Sequence, residues 1–408
     1  MQVVVRSINR QYQRSSESKK YIQCTVTAPL DGEHCKLALA LTLDLSSSMK
    51  GQRLELAKIA LKASLDQLNE TDYFCIIGYN RGAFVIHPLS VATATNKQVA
   101  KLTLDIQETR VGTNIHAGWK TAIQSLLSIE GDNYFKQCLL FTDGCAGIGP
   151  RKIDGFQDGC HEATSQLIYT STVGLGEYCN HVFLRDLADQ CGGKSFYVRS
   201  EDVLEEVFLR ELRDNRDVLL PKVTLICKTS GAVTMLNLGP QPHFMVRDKL
   251  HVELFAQRQG QLNELLLLAT INGRTEEQQF IEITPVNHLF QPVGEAATIL
   301  FSEEPVENDK EVAEYASRFL LALGAVRLYE YRDSQTKQQQ VLKKLEEMLE
   351  LLGDHDLWEL EFAALCGRYR RAIPDRERLE FFDDCSAVLR STDMTGVTSR
   401  VTRNDKYS

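Results

Sequence analysis

Three oxygen-bearing side chains occupy alternate positions in one short segment of the sequence. Asp44, Ser46 and Ser48 follow the apolar run Leu37–Leu43. Because alternate side chains of an extended segment share a face, the carboxylate and the two hydroxyls can meet a single ligand. Hard divalent cations such as Mg²⁺ prefer oxygen donors in an octahedron and retain some waters. The segment therefore indicates a divalent-cation site, although Ser and Asp in front of a helix also serve as simple caps.

Two further oxygen donors stand at neighbouring element ends. Thr113 opens a predicted helix over residues 114–128, and Asp143 follows the predicted strand Gln137–Thr142. In open α/β sheets, ligands bind where the strands end, so we expect these side chains to join the first three at one edge. The alternative for Asp143 is an acidic turn in front of Gly144.

The region around these residues alternates between strands and helices. Apolar segments of strand length are followed by segments with apolar residues at helical spacing, from residue 36 to residue 200. This alternation predicts a parallel sheet with right-handed crossovers. We therefore expect a doubly wound, Rossmann-like α/β domain over residues 36–200.

The flanking regions have other patterns. Residues 1–35 and about 218–285 alternate like β-strands. We expect residues 1–35 and 201–300 to form one β-sandwich into which the α/β domain is inserted. Residues 301–390 have helical periodicity and predict an α-helical domain. The Thr-, Ser- and charge-rich residues 391–408 predict a disordered tail.

Composition narrows the classes of partner. The formal net charge is −9, which argues against nucleic acid or an anionic membrane as the main partner. Apolar runs such as Leu265–Ala269 are far too short to span a membrane. The first residues lack the apolar core of a signal peptide, and the 11 cysteines include no Cys-x-x-Cys pair. We therefore expect buried thiols and a cytoplasmic location.

The order Asp44-x-Ser46-x-Ser48, Thr113, Asp143 resembles a von Willebrand factor A (VWA) domain with a complete metal-ion-dependent adhesion site (MIDAS). The resemblance covers roughly residues 36–200. It implies that the three hydroxyls hold Mg²⁺ directly, with Mn²⁺ or Ca²⁺ as alternatives, and that the two carboxylates act through water. It also implies that one metal position remains for a Glu or Asp carboxylate of a partner protein.

The expected function is therefore protein binding, with no catalytic residue. We expect Met49, Asn114 and His116 to form the partner-binding rim, in a scaffold or regulatory adaptor of a bacterial signalling or stress/defence pathway. The resemblance also suggests a kinase- or phosphatase-linked partner, and coupling of the metal loop to the last helix, predicted at Val203–Arg213. Two alternatives stay open: a metal-assisted hydrolase, which would need a general base, and a structural assembly subunit with a non-functional metal site.

Overall fold

The computed structural model describes residues 1–9, 11–12, 16–131, 133–143, 146–176, 179–198, 204–239, 241–272, 278–304, 309–331 and 334–370. The chain divides into two compact units. The first unit combines residues 1–30, residues 223–254 and the chain from residue 260 onward. The second unit, called the α/β unit below, combines residues 31–222 with residues 255–259.

Strands and helices alternate through the middle of the chain and separate towards its end. In chain order the elements are β1 (Gln2–Ser7), β2 (Glu17–Thr27), β3 (Lys36–Asp44), α1 (Gln52–Asp66), β4 (Tyr73–Tyr79), β5 (Ala83–Val91), α2 (Ala94–Asp105), α3 (Ile115–Leu127), β6 (Tyr134–Thr142), α4 (Gln157–Ser165), β7 (Ile168–Leu175), α5 (His181–Gln190), β8 (Gly192–Val198), α6 (Leu204–Arg216), β9 (Val218–Thr229), β10 (Val233–Asn237), β11 (His243–Val246), β12 (Lys249–Arg258), β13 (Leu262–Asn272), β14 (Phe280–Asn287), β15 (Ala297–Leu300), α7 (Lys310–Glu330), α8 (Gln335–Glu350) and α9 (Glu359–Arg370).

The α/β unit contains one six-stranded sheet in the order β5-β4-β3-β6-β7-β8. Strands β4, β3, β6, β7 and β8 are parallel to their neighbours, as predicted. Strand β5 is the exception, because it pairs antiparallel with β4 at the edge. Only residues 80–82 separate the two strands, and so short a connection permits only an antiparallel pair. The sheet is therefore mixed, within the expected VWA-like α/β fold.

Strand β3 lies in the interior of this sheet and is covered on both faces. Leu39 and Leu41 pack on one face in a core that includes residues of α1, α2 and α6. Ala38 and Ala40 pack on the other face with residues of α3, α4 and α5. Such two-sided burial explains the nearly continuous apolar sequence of the strand. It also makes the end of β3 a rigid support for the residues that follow it.

The first unit contains most of two further sheets, with the orders β1-β2-β13-β10 and β11-β12-β9-β14-β15. The strand pairs whose register is described in these sheets are antiparallel. Strand β2 pairs with β13 along its whole length, from Glu17 opposite Asn272 to Thr27 opposite Leu262. The amino-terminal strands therefore share a sheet with strands that follow the α/β unit. Face-to-face packing of the two sheets as a sandwich, with the α/β domain inserted, stays a prediction.

Helices α7, α8 and α9 lie within the region expected to be helical. The apolar stripe of α7, which includes Phe319 and Leu320, packs with Leu345 and Leu349 of α8. Residues 371–390 and the predicted disordered tail lie outside the described residues. In the part of the chain that the structure describes, no helix is both long and apolar enough to cross a membrane.

Candidate metal centre

Two carboxylates meet at the carboxyl edge of the central strands. Asp44 is the last residue of β3, and Asp143 directly follows β6. The two strands are paired in parallel up to Leu43 opposite Phe141, so their ends lie side by side. Thr142 Oγ1 donates a hydrogen bond of 2.8 Å to Asp44 Oδ2. Both carboxylates are buried, which makes their charges costly unless a partner compensates them.

Ser46 and Ser48 connect these carboxylates. The Ser46 N–H donates to Asp44 Oδ1 at 2.8 Å, and Ser46 Oγ lies 2.9 Å from Ser48 Oγ. Ser48 Oγ then donates to Asp143 Oδ1 at 2.8 Å. The loop enters α1 through Gly51, whose φ of +90° favours glycine. Four of the five predicted residues therefore form one hydrogen-bonded chain.

The fifth residue, Thr113, lies on a loop that is tied to the others through the backbone. Its carbonyl accepts hydrogen bonds from the N–H groups of Gly147 and Ile148, at 2.9 and 3.0 Å. On the same loop, the Arg110 N–H donates to the Leu45 carbonyl at 2.7 Å. Within the described residues, the Thr113 hydroxyl is not part of the hydrogen-bonded chain. The structure therefore places Thr113 beside this edge, half-buried, with no described hydrogen bond from its hydroxyl to the other four.

The three residues expected at the partner-binding rim have different positions. Met49 is 0% exposed and packs in the core, so the structure does not place it at the rim. The 3-10 turn that contains it directs its side chain inward. Asn114 Oδ1 caps α3 by accepting from the Ala117 N–H at 3.0 Å. His116 is half-buried, with its ring edge-on to Phe156 at 4.9 Å, and burial lowers the pKa of its imidazole.

Arg53 belongs to the site and was missed by the sequence reasoning. It lies in the first turn of α1, and its Nη1 is 2.8 Å from Asp143 Oδ2. The same nitrogen donates to the Ser48 carbonyl at 3.4 Å. The sequence does show a basic residue soon after the loop of oxygen donors. Its partner could not be inferred, because that depends on where α1 begins and on which carboxylate is nearby.

Burial changes the protonation of Asp44. It raises the pKa of this carboxyl from 3.8 to about 6, against the hydrogen bonds from Ser46 and Thr142, which lower it. The nearby charge of Asp143 raises it further. Asp44 is therefore a buried carboxylate whose ionised form lacks sufficient compensation from the protein alone. A cation beside it would supply that compensation.

The donor set fits a hard divalent cation. Two carboxylates and two serine hydroxyls converge, with Thr113 on the loop beside them, and such oxygen ligands suit Mg²⁺ or Mn²⁺. No His or Cys belongs to the set, which makes it a poor match for Zn²⁺. The described residues include no group of three His, Cys, Asp or Glu side chains arranged to hold a metal. A cation here would therefore depend on the hydroxyls and on water in addition to Asp44 and Asp143.

Basic side chains surround this edge, although the chain as a whole is acidic. Four of the exposed basic residues on the loops around the hydroxyls are called the basic rim below: Lys50, Arg81, Arg110 and Arg151. The loops touch, since a Cβ at Gly112 would lie 3.2 Å from the Arg81 Cα. Lys152 and the acidic Glu108 and Asp154 are also exposed on these loops, so basic side chains are in excess among the described residues there. The potential here favours an anionic ligand.

The chain is similar to a known domain family and to a solved structure. Residues 37–196 match the family model of the von Willebrand factor type A domain. A solved structure, described as von Willebrand factor type A from Catenulispora acidiphila, is similar with a TM-score of 0.66. The alignment covers 96% of this chain and 97% of that chain at 15% identity. At this identity, the likeness shows the fold alone.

The sequence relatives align with only part of this chain. The chain is 24% identical to an uncharacterized protein of Synechocystis sp. over 262 residues, 61% of this chain and 58% of that protein. It is 27% identical to inter-alpha-trypsin inhibitor heavy chain H3 of Rattus norvegicus over 215 residues, 50% of this chain and 24% of that protein. The matches therefore cover 58% of the first relative and 24% of the second.

Proposed function

We propose that the von Willebrand factor type A domain at residues 37–196 binds a partner protein through a divalent cation, with Mg²⁺ as the first candidate. Domains of this family are general protein-interaction modules. The proposed ligands are Asp44, Ser46, Ser48, Thr113 and Asp143, and the group captured is a Glu or Asp carboxylate. The observation that carries the proposal is the hydrogen-bonded chain from Asp44 to Asp143 through the Ser46 N–H and the hydroxyls of Ser46 and Ser48.

The exposure of these residues gives the site a direction. Asp44, Ser46 and Asp143 are buried, whereas Ser48 is exposed. The buried residues would hold the cation from within, and the Ser48 side would face an incoming ligand. When bound, the cation would supply a positive centre for the partner's carboxylate. Because serine and threonine hydroxyls are neutral, they would leave much of that positive charge uncompensated.

The basic rim supports an acidic ligand independently of the cation. Arg81 and Arg151 are exposed on loops of the same edge, and Arg151 Nη2 donates to the Gly147 carbonyl at 2.8 Å. This hydrogen bond keeps the guanidinium beside the loop that follows β6. Clustered positive groups steer acidic partners towards a surface and contribute specificity at its edge.

A hydrolase is the less favoured alternative, because it needs a general base with a suitable pKa near the cation. The Asp143 carboxylate is engaged by Ser48 and Arg53, and His116 packs against aromatic rings. We therefore propose a role as a scaffold or regulatory adaptor, with no catalytic residue.

The decisive variant combines Ser46→Ala with Ser48→Ala, and Ser47→Ala is its matched control. Ser47 is exposed in the same loop, between the two proposed ligands. Mn²⁺ binding would be measured by electron paramagnetic resonance with Mg²⁺ competition. Binding of a Glu-containing peptide would then be measured in Mg²⁺ and in chelator.

We expect wild type and Ser47→Ala to bind the cation, and to bind the peptide only when the cation is present. The double variant should lose both. Peptide binding that is equal in Mg²⁺ and in chelator would contradict the proposal, as would cation binding by the double variant at wild-type affinity.

A further inference from the structure

We infer that Arg53 is a built-in counter-charge of this site, which weakens cation binding and strengthens the capture of an acidic ligand. The inference rests on the proposed function, because it concerns the same cation and the same partner carboxylate. It assigns a role to a residue outside the five proposed ligands.

The ion pair between Arg53 and Asp143 is buried at its carboxylate end. The Asp143 side chain is 0% exposed, and the Arg53 side chain is 37% exposed. The guanidinium also lies against the loop after β7, since a Cβ at Gly176 would be 3.5 Å from Arg53 Nη2. Partly buried charges interact more strongly than exposed ones, because less water screens them. The Arg53 charge therefore acts directly on the buried Asp143 carboxylate.

The two oxygens of Asp143 have separate partners. Oδ1 accepts from Ser48 Oγ at 2.8 Å, on the side of the proposed ligands. Oδ2 accepts from Arg53 Nη1 at 2.8 Å, on the side of α1. Arg53 can therefore remain paired with Asp143 whether or not a cation lies beside the serine hydroxyls. It is a permanent part of the charge balance.

That balance has two consequences of opposite sign. Without a cation, Asp44 and Asp143 together exceed Arg53 by one negative charge, which attracts a cation only moderately. With a divalent cation bound, the same group carries one net positive charge, which attracts a carboxylate. Without Arg53, the apo site would attract the cation more strongly, and the loaded site would attract the carboxylate less strongly.

A purely structural role for Arg53 predicts a different result. If Arg53 served only to orient Asp143, its loss would disorder a proposed ligand and weaken cation binding. The counter-charge role predicts tighter cation binding on the same substitution. The sign of the change therefore separates the two roles.

The test compares Arg53→Met, which removes the charge, with Arg53→Lys, which retains it. Lys50→Met is the matched control, since Lys50 is an exposed basic residue of the same loop. The Mn²⁺ dissociation constant is measured by electron paramagnetic resonance, and binding of a Glu-containing peptide is measured at saturating Mg²⁺. Thermal unfolding in chelator shows that each variant is folded.

Arg53→Met should bind Mn²⁺ about tenfold more tightly than wild type. Once loaded with the cation, it should bind the peptide about tenfold more weakly. Both estimates of about tenfold follow from the loss of one unit charge at short range in a partly screened site. Arg53→Lys should stay close to wild type, and Lys50→Met should change Mn²⁺ binding by less than Arg53→Met. Weaker or unchanged Mn²⁺ binding by Arg53→Met would overturn the inference. If wild type bound no cation while Arg53→Met did, the counter-charge role would stand and the proposed function would fail. If neither bound, both would fail.

Discussion

The buried carboxylate of Asp44 should make the α/β unit less stable at neutral pH when no cation is present. The pKa of Asp44 is raised from 3.8 to about 6, mainly by burial. The folded state therefore binds the proton more tightly than the unfolded state. Between these two pH values the folded state carries more protons, so stability falls as the pH rises. Below about pH 4 both states are protonated and the penalty disappears.

The size of this penalty follows from the shift. A shift of about two units corresponds to about 3 kcal/mol above pH 6, at about 1.4 kcal/mol per unit. Asp44→Asn removes the charge but leaves one oxygen where two accept hydrogen bonds, from the Ser46 N–H and from Thr142 Oγ1. Losing one such bond costs about 1 kcal/mol. We therefore expect Asp44→Asn to stabilise the chelated unit by about 2 kcal/mol at pH 8.

Urea unfolding in chelator at pH 8 and pH 5 measures this difference. The chain contains two tryptophans, of which Trp119 lies in the α/β unit. In a Trp358→Phe background, the fluorescence of Trp119 reports on that unit alone. Asp31→Asn, at an exposed position of the same unit, is the control. The reasoning is refuted if Asp44→Asn is no more stable than its background at pH 8, or if its advantage does not shrink at pH 5.

Three further substitutions or treatments probe the α/β unit itself. Gly118→Ala should destabilise it by about 1–3 kcal/mol in urea unfolding, because the new Cβ would lie 2.5 Å from the Tyr79 ring; an unchanged midpoint would show that the ring can move. Glu211→Ala should lower the free energy of unfolding by about 2–4 kcal/mol in the same assay, since it removes a buried carboxylate that lies 3.1 Å from the Lys194 ammonium. Burial raises the pKa of the Cys138 thiol above its usual range, so iodoacetamide should label it at pH 8 only after urea is added, as read by mass spectrometry; rapid native labelling would contradict its burial.

Local rules predicted the parts of the site that depend on neighbouring residues. Asp44, Ser46 and Ser48 were predicted to lie together because alternate side chains of an extended segment share a face. They do lie in one hydrogen-bonded chain, but Ser48 is in a 3-10 turn and not in the extended segment that the prediction assumed. Asp143 was placed beside them because parallel strands end at one edge of a sheet. Each inference needed only one element and the direction of its neighbour.

The missed features depend on contacts that spacing alone does not reveal. Met49 follows the alternating loop in sequence, but a 3-10 turn over Ser47–Met49 rotates its side chain into the core. Arg53 reaches Asp143 across 90 residues of chain, which requires the register of α1 and the position of β6. Helix α2 was not predicted because it buries only Ala100 and Leu104, too few residues for a clear apolar stripe.

A buried polar network limits how far the last helix of the α/β unit can move. Glu211 Oε1, on α6, accepts from Gln137 Nε2 and Ser171 Oγ at 2.8 Å each, and Asn215 Nδ2 donates to Gln137 Oε1. A slide of α6 by one turn would leave these groups unpaired in the interior, at about 1–3 kcal/mol for each. The expected coupling between the metal loop and this helix therefore has to overcome several such costs.

Helix α1 carries Arg53 and packs against α6, so it can absorb a change at the site before α6 moves. We expect cation and acidic peptide to slow hydrogen exchange in the loop at residues 45–51 and in the first turn of α1, with exchange in α6 unchanged. Altered exchange along α6 would show instead that ligand binding supplies enough free energy to break the network.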